Sequence, residues 1–306
     1  YELLFYSLSV ALNSIIHYPQ RGRAALRQLS LHLRRIISVR CFMKLIKILC
    51  VLLAAATISC VGLTACANEN EPAKEEGLGG KTIYWLGSSV TYGAASGGVS
   101  MADLLSRTEK CKSVKEAVSG TTLFTDPDSV LPVAYGSYTQ RLANSTKFKK
   151  DEKVDAFICQ ISTNDAQEAN LSKWGEVTAA NVTSADAFNL ATTAGALEYI
   201  IAYVEQVWNC PVFFYSGAYF GDGVYEGTNG SDYAALIELT CSAVEKWNNL
   251  DGYEVGVIDM FNDEQFNDIS AEQYSEYMSD AVHPTAKGYE EWWTPYFADY
   301  LVDYFG

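Results

Sequence analysis

Histidine is scarce in this chain of 306 residues: only His17, His32 and His283 are present, and the first two lie in an Arg-rich N-terminal stretch. The most common general base at neutral pH is histidine, whose unperturbed pKa lies close to operating pH. Beyond that stretch, His283 is therefore the single imidazole candidate. Basic side chains are also few, 22 against 37 acidic, for a formal net charge of −15. Residues 1–65 hold eight of the basic residues and only one acidic residue, Glu2, which leaves 14 against 36 from Cys66 onward. Acidity of this degree argues against nucleic acid or an anionic membrane surface as an electrostatic partner and fits a neutral substrate. The cysteines from Cys66 onward (Cys66, Cys111, Cys159, Cys210 and Cys241) lack the Cys-x-x-Cys spacing of a zinc site. The uncharged run from Ile48 to Leu63 falls short of the ~20 residues a membrane-spanning helix needs. No internal repeat is present. With 49% hydrophobic residues, the chain is too apolar to be disordered.

The short apolar run has the context of an export signal. Met43-Lys44-Leu45-Ile46-Lys47 supplies a positive n-region, Ile48 to Leu63 an h-region, and Leu63-Thr64-Ala65-Cys66 resembles the bacterial lipobox, whose cysteine is lipidated and becomes the mature N-terminus. Ile58-Ser59-Cys60 is a weaker second match. Residues 43–65 are thus expected to be a lipoprotein signal peptide, with Cys66 lipidated and the protein extracytoplasmic at the cell envelope. Residues 1–42 read as translated sequence upstream of a start at Met43. Residues 66–80, polar and ending in Gly79-Gly80, read as a flexible tether. The folded domain is expected over 81–306. Cys111, Cys159, Cys210 and Cys241 are expected to be mostly free, buried thiols, although four cysteines outside the cytoplasm allow three full pairings.

From Lys81 onward, β-rich runs alternate with helical ones. Strands are predicted at Thr82–Leu86, Ser113–Val118, Val154–Ile161, Pro211–Tyr215 and Glu254–Asp259. Helical apolar spacing marks Thr193–Trp208 and Tyr233–Leu250, and Thr285 is placed to cap a last helix running to Tyr304. Alternation of this kind implies a parallel sheet covered on both faces, with ligands bound beyond the carboxyl ends of its strands.

Polar residues of chemical interest fall at those ends. Gly87-Ser88-Ser89-Val90-Thr91-Tyr92-Gly93 follows the first strand, and its glycines permit a tight turn that exposes Ser89 as a nucleophile beside the start of a helix. The spacing differs from the Gly-x-Ser-x-Gly elbow of α/β-hydrolases. Gly120, after the second strand, is placed to present a backbone N–H. Asn164, in Ser162-Thr163-Asn164-Asp165, can offer a side-chain amide to an oxyanion. Taken alone, Gly120 is a turn glycine and Asn-Asp is ordinary turn chemistry. His283 closes the set in Asp280-Ala281-Val282-His283-Pro284, with a carboxylate three residues before it.

In this order, the four blocks resemble those of the SGNH (GDSL-type) hydrolases. That family is characterised by Gly-Asp-Ser-x-Thr-x-Gly, a block-two glycine, Gly-x-Asn-Asp and Asp-x-x-His-Pro. The resemblance spans about residues 81–290. It implies a three-layer α/β/α sandwich with a flavodoxin-like five-stranded parallel sheet, and serine-dependent ester hydrolysis without metal or organic cofactor. It assigns Ser89, His283 and Asp280 to a triad, and the Ser89 and Gly120 N–H groups with the Asn164 amide to an oxyanion hole. Two positions depart from the pattern. Ser88 stands where Asp is usual, which changes the support of the turn. Ser162 stands where Gly is usual, where a side chain is expected to crowd the site or narrow it toward small acyl groups. Secreted members often resemble carbohydrate esterases, which makes an acetylated carbohydrate or small ester the expected substrate. The aromatic loop Gly217–Tyr225 is a candidate rim, and the lack of a long apolar lid argues against long-chain lipids. A cell-envelope O-acyltransferase remains open. So does a non-catalytic glycan-binding lipoprotein, although the intact Ser89, Asp280 and His283 argue against it. Oligomeric state is not legible.

Overall fold

A computed structural model of the chain describes residues 77–306. The expectations for residues 1–42, the signal peptide 43–65, Cys66 and most of the tether lie outside the described residues. The boundary expected at residue 80 shifts upstream, because Leu78 is fully buried in the core and its carbonyl accepts the Lys81 N–H at 3.0 Å.

Five strands form one sheet: β1 (Thr82–Gly87), β2 (Lys112–Ala117), β3 (Ala156–Gln160), β4 (Val212–Tyr215) and β5 (Val255–Ile258). Their order is β2-β1-β3-β4-β5 and every pairing is parallel. β3 and β4 are buried along their whole length and β1 nearly so. This is why these segments read as unbroken apolar runs rather than alternating ones. Helices cover both faces. One layer holds α2 (Met101–Thr108) and the C-terminal α8 (Thr294–Phe305), and the other holds α3 (Tyr138–Asn144), α4 (Thr193–Trp208) and α5 (Gly230–Asn248). The short α1 (Ser89–Tyr92), α6 (Ala271–Tyr277) and α7 (Ala286–Gly288) lie in the connections. Side chains alternate across the pleat as strand geometry demands: Tyr84 meets Trp208 of α4, whereas its neighbour Trp85 meets Phe297 of α8.

Two helices depart from expectation. α3 was not assigned from sequence, though Ser137 and Gln140 form a capping box at its start. The last helix is capped by Thr285 as expected, but Tyr289–Trp293 is a π turn between α7 and α8. Pro295 has no N–H to give the carbonyl one turn back, and the ladder loosens there. Among the described residues no helix is long and apolar enough to cross a membrane. Cys111, Cys159, Cys210 and Cys241 are all free thiols; the first three are buried and Cys241 is exposed.

The strand order reverses beside β1, which sends β2 to one side and β3 to the other. That split opens a crevice outside the carboxyl ends of the strands, the usual ligand position in such sheets.

Candidate active site

Ser89 opens α1 immediately beyond that crevice. A Cβ at Gly87 would overlap the Thr91 hydroxyl, so only glycine lets the chain turn so closely from β1 into α1. Gly93 ends α1 with φ of +86°, a conformation that favours glycine. Gln160, the last residue of β3 and buried, clamps the turn. Its Oε1 accepts the Ser88 N–H at 3.0 Å, the Thr91 N–H at 3.1 Å and the Thr91 hydroxyl at 2.8 Å. Tyr215 at the end of β4 adds a 2.6 Å hydroxyl contact to Thr91. From the π turn, Tyr289 donates its hydroxyl to the Val90 carbonyl at 2.6 Å. Support at Ser88, where a carboxylate side chain was the usual expectation, thus comes from Gln160 through the backbone.

His283 comes to the same place from 194 positions away. Its Nε2 lies 2.8 Å from Ser89 Oγ, and its Nδ1 lies 2.8 Å from Asp280 Oδ2. The loop is built to hold this. Asp280 Oδ1 accepts the N–H groups of Val282 at 2.7 Å and His283 at 2.8 Å, which turns the carboxylate toward the ring. Burial opposes its charge, but those N–H groups and the His283 ring outweigh it, and the carboxyl sits below its usual range. The Asp280 side chain is 42% exposed against 17% for His283, so water screens part of the interaction.

Gly120 occupies a turn with φ of +77°. Thr121, beside it, links the site together. Its carbonyl accepts one N–H of the Asn164 amide at 3.0 Å and the Ser162 hydroxyl at 3.0 Å. Asn164 has a second amide N–H, whose direction this bond fixes. Ser162 does not crowd the site as expected. Its side chain is fully buried and caps the Thr163–Ala166 turn, accepting the Asn164 N–H at 3.2 Å. Among the described residues, neither the Ser89 nor the Gly120 N–H has an acceptor. Ser89 is the first residue of a helix, where N–H groups are left over by geometry.

Two further residues to which the sequence reading gave no role, Arg141 and Asp165, hold these turns in register. Arg141 of α3 is buried. It donates to the carbonyls of Gly87 at 2.9 Å, Glu116 at 3.1 Å and Gly136 at 3.0 Å, and to the Thr121 hydroxyl at 3.0 Å. It thereby joins the turn before Ser89 to the turn at Gly120. Asp165 is fully buried and accepts the Leu123 N–H at 2.8 Å and the Thr193 hydroxyl at 2.9 Å. Burial pushes its carboxyl up to about 7, against the pull of these donors. The available sequence signals were slight: a glutamine ending an apolar run, and an arginine beside Leu142 after a capping box. Among the described residues no group of three or more His, Cys, Asp or Glu side chains is placed to hold a metal ion.

No protein-family model matches the chain, and no curated protein matches it significantly. Solved structures do. One aligns with 74% of this chain and 99% of its own at 18% identity and a TM-score of 0.54. A protein from Lactobacillus plantarum aligns with 74% of this chain and 96% of its own at 19% identity and a TM-score of 0.50. A carbohydrate acetylesterase family member from Sinorhizobium meliloti aligns with 72% of this chain and 97% of its own at 14% identity and a TM-score of 0.39. At such identity the likeness is one of fold. The all-parallel strand order and the two helix layers make the three-layer α/β/α sandwich expected from the sequence, and the two neighbours at TM-scores of 0.54 and 0.50 share that fold.

Proposed function

We propose that this protein hydrolyses carboxylic esters, with Ser89 as nucleophile, His283 as general base and acid, and Asp280 as the orienting carboxylate. The observation that carries this reading is the pair of 2.8 Å contacts joining Ser89 to His283 and His283 to Asp280. Ser89 Oγ attacks the acyl carbon while its proton passes to His283 Nε2. Asp280 holds the proton on Nδ1 and stabilises the imidazolium. The negative charge moves to the former carbonyl oxygen, where the Ser89 and Gly120 N–H groups and the free Asn164 N–H are the donors. Losing one such donor costs about 3–4 kcal/mol of transition-state stabilisation. His283 then gives its proton to the departing alcohol. Water repeats the sequence on the acyl-serine and releases the acid.

The substrate proposed is an acetylated carbohydrate. A strongly acidic protein suits a neutral substrate, and the loop after β4 sets the ring of Tyr225 beside His283. Acetate release from acetylated xylan and from small acetyl esters tests the activity. Ser89→Ala and His283→Ala should each abolish it, and the double variant should be little worse than either, because triad members act as a unit. Near-wild-type activity in clean Ser89→Ala protein would remove Ser89 from its role. Acyl transfer to an added glycan in preference to water would mark a transferase instead. Export and lipid attachment at Cys66 are proposed alongside. Intact mass of the membrane-fraction protein should place a lipidated Cys66 at the N-terminus, and an unmodified terminus would overturn that.

A further inference from the structure

The proton path above fixes where the alcohol half of the ester sits. The imidazole that takes the proton from Ser89 must return one to the departing oxygen, so whatever flanks His283 flanks the alcohol. An aromatic side chain that does so is Tyr225, whose ring stands edge-on to the imidazole with centroids 6.2 Å apart and planes at 63°.

Tyr225 is held firmly for a loop residue. Its ring packs on Phe220, which stacks on Tyr233 at 5.6 Å between centroids. Tyr233 is itself fixed, donating to the Ile161 carbonyl at 2.9 Å and accepting the Gly217 N–H at 2.9 Å. The loop end is pinned as Tyr225 and Gln167 both bridge to buried Thr228, and as the Glu168 N–H donates to the Gly227 carbonyl at 2.9 Å. A preplaced aromatic face costs little ordering on binding. Half-buried, with its phenol pushed up by burial and by the charge of Asp280, it is a neutral wall beside the site. The loop carries the exposed carboxylates Asp222 and Glu226, Asp280 is exposed beside His283, and the segment pinned to the loop opens on exposed Glu168 and ends on Lys173, so acidic groups outnumber basic ones there. Their field disfavours an anionic alcohol such as a uronate and leaves a neutral ring as the fitting partner.

We propose that Tyr225 forms the alcohol-side wall of the site and stacks against a neutral pyranose ring whose acetyl group is presented to Ser89. This rests on the ester hydrolysis proposed above. The test uses one acyl group with different alcohols. For wild type, Tyr225→Ala and Tyr225→Phe, kcat/KM is measured on acetylated xylo-oligosaccharide, acetylated galacturonan oligosaccharide and ethyl acetate, which has no ring to stack. Wild type should prefer the neutral sugar ester to the uronate ester. Tyr225→Ala should lose at least about tenfold more on the xylo-oligosaccharide than on ethyl acetate, and Tyr225→Phe should keep the wild-type ratio. In parallel, calorimetry with Ser89→Ala reads binding of acetylated xylo-oligosaccharide without turnover, and adding Tyr225→Ala should weaken it about tenfold. Turnover with neither ratio nor affinity changed by Tyr225→Ala would overturn the proposal, as would a preference for the uronate. Sugar binding that depends on Tyr225 in a protein that cleaves no ester would keep the subsite and overturn the hydrolase. Neither binding nor turnover would overturn both.

Discussion

Gln160 shows how much of the site depends on a side chain with no part in the chemistry. Three donors converge on its one amide oxygen, and all three belong to the turn that carries Ser89. Removing that acceptor leaves buried N–H and O–H groups unsatisfied, at about 1–3 kcal/mol for such a group. Gln160→Ala should therefore destabilise the fold by roughly 2–3 kcal/mol in urea unfolding. It should also lower kcat more than it raises KM, because α1 loses its fixed height over the crevice and near-attack geometry is sensitive to small shifts. Gln160→Glu, which keeps an acceptor oxygen, should retain more activity than Gln160→Ala. An alanine variant equal to wild type in both measurements would show that Tyr215 and Tyr289 suffice to hold the turn.

The C-terminal helix segment illustrates how an element serves the site from a distance. α8 lays Phe297 between Trp85 of β1 and Tyr215 of β4, with ring centroids at 5.4 and 5.2 Å. The π turn before it aims Tyr289 at Val90 in α1. Packing of the helix on the sheet and placement of the Ser89 turn are thus mechanically linked. Phe297 is fully buried, so Phe297→Ala leaves a cavity between three elements and should cost about 3–5 kcal/mol. Denaturant midpoints check this directly, and a loss under ~1 kcal/mol would mean that the core collapses around the gap.

For the molecule as a whole, Asp165 ties stability to pH. Its carboxyl is pushed up to about 7 from an ordinary 3.8, chiefly by burial. Between those values the folded state binds more protons than the unfolded one, so the favourable contribution is complete below about pH 4 and is lost as pH rises through about 7. The slope is at most about 1.4 kcal/mol per pH unit for one proton. Asp280, whose carboxyl is lowered, acts in the opposite sense and at more acidic pH, outside this window. Asp165→Asn keeps a neutral group of the same shape that can accept from Leu123 and donate to Thr193. Thermal midpoints of wild type should fall from pH 4 to 7 more steeply than those of Asp165→Asn; equal slopes would remove Asp165 as the cause.

Local residue order alone determined the alternation of strands and helices, the parallel sheet and the succession of Ser89, Gly120, Asn164, Asp280 and His283 at element ends. These are matters of periodicity and turn chemistry, which act over a few residues. The helix at Thr193–Trp208 was legible to its ends from apolar spacing, and in the structure the Thr192 side chain caps it by accepting the Gly195 N–H. The tertiary structure decided what lies between the blocks. Gln160 and Arg141 are ordinary residues in their local windows, Asp165 was read only as part of a block and Tyr225 only as part of a candidate rim, and each acquires its place through partners about 30 to 70 positions away. A buried amide, guanidinium or carboxylate is tolerable only where the fold supplies its complement. The inward turn of Ser162 and the π turn before α8 have the same origin: Thr121 gives Ser162 a carbonyl, and the loosened ladder lets Tyr289 reach Val90.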